Sequence, residues 1–255
     1  MVDSVRLKAA FKVAQIHASF TLLVAMLAAW LVFFVWFPGA YRHMAGGTEL
    51  FTLIIFVDAV CGPLLTLVLF SPKKSKLDLL TDIGLVAVIQ LVALGYGMAT
   101  LWEVRPLYLS HEFDRFKVVS LSDLRGETTD GLSDDLRPKF LKGPQIVGLR
   151  LPISLEEKNK VLMESLAGGA DFGERPAFFV PFTGEEISKT LNRSKSIKDF
   201  LLKYPDQRGA IETLALVANQ PIDNMRYLPI SARNNWVAVL MPSGDIAGFV
   251  PGDGF

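Results

Sequence analysis

The chain has 255 residues, enough for one large or two modest domains, and its hydrophobic fraction of 51% and mean hydropathy of +0.35 are high for a soluble protein. Its 26 basic and 26 acidic residues give a formal net charge of zero, so we expect no nucleic-acid partner. The single cysteine, Cys61, excludes an intramolecular disulfide and a cysteine-based metal site.

The charged residues are unevenly distributed along the chain. Residues 1–102 contain seven Lys or Arg and five Asp or Glu, whereas residues 103–255 contain nineteen and twenty-one. A charge-poor, apolar first part is therefore joined to a second part with the composition of an ordinary globular domain. We predict a transmembrane domain over 1–102 and a second domain over 103–255 that folds without the first.

Three segments of the first part are long and apolar enough to cross a bilayer. Residues 18–37 and 83–102 contain no charge, and residues 50–70 contain only Asp58. Twenty helical residues rise about 30 Å, the thickness of the hydrocarbon core. The first segment could be a cleavable signal peptide, but it is too long and ends in the bulky sequence Phe-Val-Trp-Phe-Pro. We therefore interpret all three as retained spans, in contact with the lipid bilayer.

Basic residues beside the spans predict their orientation. The N-terminal tail and the loop after the second span share six of them: Arg6, Lys8, Lys12, Lys73, Lys74 and Lys76. The loop between the first two spans carries only Arg42. We therefore expect a multi-pass protein of the bacterial inner membrane with a cytoplasmic N-terminus. An odd number of spans then places residues 103–255 in the periplasm.

Residue periodicity and turn signals predict an α+β fold for the second part. The predicted elements are strands over 113–121 and 146–151, helices over 154–166, 195–204 and 208–218, a long loop over 122–145, and a final hairpin over 235–251. Ser154 and Glu157 have the spacing of a capping box at the start of the first of these helices. The predicted fold class is therefore three transmembrane α-helices followed by a C-terminal α+β extracytoplasmic domain.

Motifs for catalysis are missing from the sequence. It has no glycine-rich phosphate loop and no nucleophile elbow, and its three histidines lie far apart without metal-binding spacing. An intramembrane aspartyl protease would need two facing carboxylates. Asp82 lies more than about 10 Å in depth from Asp58 by the helix rise, so this alternative has little support. We expect no enzymatic activity, no metal and no cofactor.

Polar groups inside the spans are the remaining candidates for function. Asp58 lies about 12 Å deep, where a carboxylate costs on the order of 3 kcal/mol unless it is protonated or paired. Gln90 lies at a similar level, roughly 10 Å from the opposite side. Two interpretations stay open: Asp58 pairs with Gln90 and locks two spans together, or it binds a polar group on a partner helix. Gly62 and Pro63 would kink the helix and open a groove between the spans.

Several stretches of the sequence resemble the TfpX/TfpZ family of type IV pilin accessory proteins. They are WFPGAYRHMAGG, LFTLIIFVDAVCGPLLTLVLF, LDLLTDIGLVAVIQLVALGYG, RPLYLSHEFDRFKVVSLSDL and the C-terminal YLPISARNNWVAVLMPSGDIAGFVPGDGF. The most specific pieces run from Val57 to Thr66 and over Arg105-Pro106. Two places depart from the usual pattern, namely Ala40, where proline is common, and Ser110-His111, where apolar residues are more usual.

The resemblance implies an inner-membrane accessory protein or assembly chaperone without enzymatic activity. It would bind and stabilise the major type IV pilin before pilus assembly, through the pilin's transmembrane helix and also through its globular head. The candidate partner site consists of Asp58, Gln90, Gly62 and Pro63, and the candidate structural motif residues are Thr66, Arg105 and Pro106. The alternative is a membrane-anchored periplasmic binding or sensing domain with no pilin client.

Overall fold

A computed structural model of the protein describes residues 4–71 and 74–255, and residues 4–6 by their backbone only. The side chains of Arg6 and Lys73, which entered the orientation argument, lie outside this description. The chain divides into two compact units. The first comprises Met1–Phe34 and Gly47–Trp102, and the second comprises Val35–Gly46 and Glu103–Phe255.

Three long helices form the first unit. They are α1 (Ser4–Leu31), which continues as a π-helical turn over Val32–Trp36, α3 (Gly47–Leu69) and α4 (Lys76–Val104); the single-turn helix α2 (Tyr41–Met44) belongs to the second unit. All three long helices are long and apolar enough to cross a membrane. The first and third begin well before the predicted spans, because the preceding polar segments contain good helix formers such as lysine, glutamine and leucine.

A mixed sheet forms the framework of the second unit. Its strands are β1 (Pro106–Glu112), β2 (Arg115–Ser120), β3 (Gln145–Leu149), β4 (Phe179–Pro181), β5 (Lys195–Ser196), β6 (Arg226–Ser231), β7 (Trp236–Leu240) and β8 (Ile246–Pro251). The order is β4-β3-β1-β2-β6-β7-β8, and β5 pairs with β6. The pairs β1–β3 and β2–β6 are parallel and the others antiparallel. Four helices accompany the sheet: α5 (Leu155–Leu166), α6 (Gly184–Arg193), α7 (Ile197–Lys203) and α8 (Arg208–Val217).

Several predicted elements of the second unit are confirmed. Helices α5, α7 and α8 and the C-terminal hairpin of β7 and β8 lie where they were predicted. Ser154 caps α5 by accepting a hydrogen bond from the backbone N–H of Glu157 at 3.0 Å. The carboxylate of Glu157 instead accepts from the N–H of Ile153, so only half of the predicted capping box forms.

The predicted strand over 113–121 is wrong at its start. Phe113 and Asp114 form a two-residue turn between β1 and β2, and Phe113 has a positive φ of 54°. Strand β1 was missed because six of its seven residues are buried, so its sequence lacks the alternation of a half-buried strand. Strands β4 and β6 and helix α6 were also missed.

The segment 35–46 completes the core of the second unit. Side chains alternate along β7, so Val237 and Val239 pack with α7 and α8, while Ala238 and Leu240 face the opposite side. On that side Tyr41 and Met44 of α2 are buried in the same hydrophobic cluster.

Hydrogen bonds hold the same segment in place. The backbone N–H of Asn234 donates to the carbonyl of Met44 at 3.1 Å, and its side-chain amide donates to the carbonyl of His43 at 2.6 Å. The single division at residue 102 must therefore be corrected for this segment, because its side chains fill one face of the sheet.

Candidate functional site

Many buried positions of the helical unit carry small or polar side chains, although Val32, Phe51, Val86 and Leu101 are buried there as well. Its buried positions include Ala10, Ala14, Ala25, Gly62, Thr66 and Gly97, whereas large apolar side chains such as Phe20, Leu53 and Val92 are exposed. A soluble helical protein shows the opposite distribution. Helices that pack in a bilayer use small residues for close approach and place large apolar residues against lipid, so this distribution is typical of membrane helices.

Asp58 lies at the middle of α3, as the twelfth of its 23 residues. Its side chain is buried, with 6% of its surface exposed. Within 4–71 and 74–255, no hydrogen-bond or ion-pair partner is found for its carboxylate. An acidic group that is buried without a partner in the central part of an apolar helix is energetically costly when it is ionised.

Gln90 contacts Asp58, but through the backbone. Its amide Nε2 donates to the carbonyl oxygen of Asp58 at 2.9 Å, and so joins α4 to α3. The predicted contact between the two residues is present, whereas the predicted pairing of their side chains is not. The carboxylate of Asp58 therefore remains available to another group.

His17 and Thr66 extend this contact into a chain of hydrogen bonds across all three helices. The Oε1 atom of Gln90 lies 2.7 Å from Nε2 of His17, and Nδ1 of His17 lies 2.6 Å from Oγ1 of Thr66. Because Oε1 can only accept, Nε2 of His17 is the donor of its bond to Gln90. Every group of this polar chain, from Thr66 to the Asp58 carbonyl, thus has a partner.

Gly62 and Pro63 explain why Gln90 reaches α3 at this level. A Cβ atom at Gly62 would collide with Nε2 and Cδ of Gln90, so only glycine leaves space for the amide. Pro63 has no N–H and leaves the carbonyl of Ala59, next to that of Asp58, without its usual intrahelical donor. The Gly-Pro pair therefore forms the α3 surface on which Gln90 docks.

A cavity of about 60 Å³ lies between the three long helices at the level of Asp58. Asp58, Gln90, His17 and Thr21 contribute its polar lining, and apolar side chains of α1, α3 and α4 complete it. A cavity of this size can hold a few water molecules or a single protruding polar side chain. The carboxylate of Asp58 thus borders an open space at mid-span.

Sequence reasoning missed the participation of His17. The three histidines show no metal-binding spacing in the sequence, and α1 begins fourteen residues before the predicted span, so that His17 lies well inside a long helix. A polar residue directly before an uncharged apolar run was the available signal, whereas its level beside Gln90 follows only from the structure. Among the described residues no group of three His, Cys, Asp or Glu side chains could hold a metal ion.

The remaining candidates lie apart from this polar chain. Asp82, the second carboxylate of the protease alternative, forms an ion pair with Lys74 at 2.5 Å. Arg105 and Pro106 belong to the second unit, where Pro106 begins β1 and Arg105 donates to the carbonyl of Phe140 at 3.4 Å. Burial lowers the pKa of Arg105 to about 10, so its guanidinium still carries a charge at neutral pH.

A second concave surface lies in the second unit. A groove of about 750 Å³ is bordered by Phe113 and Phe172, whose rings stack at 5.9 Å, and by Leu151, Ile153 and Leu155. The positive φ of Phe113 is unfavourable for a bulky side chain. The turn therefore holds an exposed aromatic ring at the groove in spite of backbone strain.

Comparison with known proteins points to fimbrial assembly proteins. The sequence model of the family described as "Fimbrial assembly protein FimB" matches residues 5–46. The chain is 30% identical over 249 residues to the fimbrial assembly protein of serogroup I of Dichelobacter nodosus, with 96% of both chains covered. It is 28% identical over 249 residues to the serogroup E1 protein of the same organism, again over 96% of both chains.

A third relative covers less of the chain. The fimbrial assembly protein of serogroups C1 and C2 of Dichelobacter nodosus is 40% identical over 115 residues, which are 45% of this chain and 88% of that protein. No solved structure matches the chain. Because similarity to the serogroup I protein extends over nearly the whole of both sequences, this chain is a member of the fimbrial assembly protein family.

Proposed function

We propose that this chain is an inner-membrane accessory protein that binds and stabilises the major type IV pilin before pilus assembly. Its relatives are named fimbrial assembly proteins, which supports a role in the same process. The observation that carries the proposal is the unpartnered carboxylate of Asp58 beside a mid-span cavity. An accessory protein for a membrane-inserted subunit needs a recognition group at this depth, and no catalytic step is part of its action.

The arrangement of residues 35–46 supports three membrane crossings. This segment follows α1 and precedes α3, yet it packs in one unit with residues 103–255, which follow α4. A single folded unit lies on one side of a bilayer, so α3 would carry the chain away from that side and α4 would return it. Together with the basic residues beside α1 and α4, this supports a periplasmic position for the second unit, on the side where the globular head of a pilin precursor would lie.

Deletion of the gene tests the function in the bacterium. We expect the membrane level of the major pilin and the number of surface pili to fall, while the pilin transcript stays unchanged. Complementation with the intact gene should restore both. An unchanged pilin level together with normal pili would contradict the proposal.

The groove of the second unit favours the alternative of a periplasmic binding or sensing domain. Its apolar border and its strained aromatic ring at Phe113 are features of a binding surface. Pilin levels discriminate the two functions, because a sensing domain without a pilin client leaves the pilin stable in the deletion strain.

A further inference from the structure

The carboxylate of Asp58 differs from its polar neighbours in the cavity. Gln90 and His17 use their polar atoms in hydrogen bonds that join the three helices. The carboxylate of Asp58 lines the same space and has no such bond to any side chain in the described ranges. When ionised it can only accept hydrogen bonds, and burial strengthens its need for a donor or a cation.

An uncharged amide side chain is sufficient to join the helices by hydrogen bonds at this depth. Gln90 demonstrates this, since its amide alone connects α4 to both neighbouring helices without introducing a charge. Unless it is protonated, a carboxylate at position 58 needs a compensating group, and residues 7–71 and 74–255 do not supply one. Charge complementarity indicates that this group is positively charged and donates hydrogen bonds.

The walls of the cavity define the kind of partner. Phe20 of α1 and Leu91 of α4 line the cavity and are nevertheless 64% and 59% exposed. An apolar helix can pack on these side chains while one of its polar side chains enters the space of about 60 Å³. The cavity is too small for a larger ligand.

We propose that the cavity between α1, α3 and α4 binds the transmembrane helix of the major pilin, and that Asp58 recognises a positively charged hydrogen-bond donor on that helix. This inference rests on the proposed function and names the recognition site for it. The polar chain from Thr66 to Gln90 holds the three helices in place, so that the carboxylate is presented at a fixed position.

Site-specific photocrosslinking in membranes that contain both full-length proteins tests the site. A photoreactive benzoylphenylalanine at position 20 or 91 should form an adduct with the pilin. Leu22 and Ile89 supply matched controls, because they lie on the same helices with 59% and 54% exposure and do not line the cavity. Equal adducts at all four positions, or an adduct with a second copy of this chain, would overturn the inference.

Substitutions of Asp58 test the chemistry. Because the carboxylate makes no internal hydrogen bond, Asp58→Asn should leave the membrane abundance of the chain unchanged. We expect the pilin adduct at position 20 to fall about tenfold or more, as for loss of a charged hydrogen bond, and Asp58→Glu to retain most of it. An undiminished adduct in Asp58→Asn would exclude recognition of a charge.

Copurification separates failure of this inference from failure of the proposed function. If the pilin copurifies with the chain in detergent but no cavity position crosslinks to it, the binding site is elsewhere and the function stands. If the pilin copurifies neither with the unaltered chain nor with any variant, the proposed function itself is contradicted.

Discussion

The side chain of Gln90 is the central connection of the helical unit, because its amide bonds to α1 and α3 at once. Sequence reasoning identified Gln90 and Asp58 as neighbours from their depths alone. The sequence does not show that the Gln90 amide donates to the backbone carbonyl of Asp58 and not to its carboxylate. This acceptor depends on the space left by Gly62 and on the position of His17. The consequence for function is that the Asp58 carboxylate forms no hydrogen bond to the described parts of α1 and α4.

Substitution of Gly62 by alanine should break this connection. The added Cβ displaces the Gln90 amide and removes both of its hydrogen bonds, so we expect a loss of about 0.6–2 kcal/mol in the free energy of unfolding. Unfolding of the purified protein in detergent micelles measures this change.

Two further variants make the Gly62→Ala test specific. A Cβ at Gly95 of α4 meets no atom within 4 Å, so Gly95→Ala should change stability by less than about 0.5 kcal/mol. Gly62→Ala should add little to Gln90→Leu, because both remove the same hydrogen bonds. Additive losses in the double variant would show that Gly62 acts independently of Gln90.

His111 is a buried polar residue at a position where the resembled family usually has an apolar one. It is 4% exposed, it packs against Phe116 and Phe182, and its Nε2 has no hydrogen-bond partner in the described part of the chain. His111→Leu removes this unsatisfied group, so we expect a gain of about 1–3 kcal/mol in stability at pH 7.5. Urea unfolding of the second unit measures the gain.

The same variant should weaken the pH dependence of stability. Burial lowers the pKa of His111, Glu186 opposes this shift and Lys189 adds to it. The unfolded chain therefore binds the proton more tightly, and stability falls as pH decreases through about 6.5 toward the lowered pKa. We expect the native protein to lose more stability than His111→Leu between pH 7.5 and pH 5.5. Parallel curves would contradict a neutral, buried His111.

Among the helices and strands, those with a distinct periodicity or cap were predictable. Helix α5 with its Ser154 cap and the hairpin of β7 and β8 follow directly from the sequence. Strand β1 and the packing of α2 could not be predicted from the sequence, because β1 is buried on both faces and α2 is a single turn within a short loop. Both depend on contacts between segments that are distant in the sequence.

The segment 35–46 should be required for stable folding of the second unit. A protein of residues 103–255 alone leaves the cluster around Tyr41 and Met44 open, so we expect low solubility and reduced cooperativity. Residues 35–46 joined to 103–255 by a flexible linker should unfold cooperatively in urea.

The Met44 side chain supplies the control for the segment 35–46. In the linked protein, Met44→Ala should cost about 2–5 kcal/mol, because Met44 is fully buried. A fully stable fragment 103–255, unaffected by addition of residues 35–46, would show that this segment is dispensable for the fold.

For the whole molecule, the orientation in the membrane can be tested by cysteine accessibility. In a Cys61→Ala background, a membrane-impermeant thiol reagent added to spheroplasts should label Asp134→Cys and not Ser75→Cys. Both positions are exposed, and they lie in the second unit and in the loop before α4. Lysis of the spheroplasts should make Ser75→Cys reactive as well. Labelling of Ser75→Cys before lysis would contradict the orientation.

The most direct test of the account is whether the chain holds the pilin in the membrane before polymerisation. In a strain unable to polymerise pili, an affinity-tagged copy should be isolated from detergent-solubilised inner membranes, with Asp58→Asn as the matched variant. The account predicts that the major pilin copurifies with the unaltered chain and is largely lost from the Asp58→Asn protein at equal chain recovery. Recovery of the chain without the pilin would contradict it.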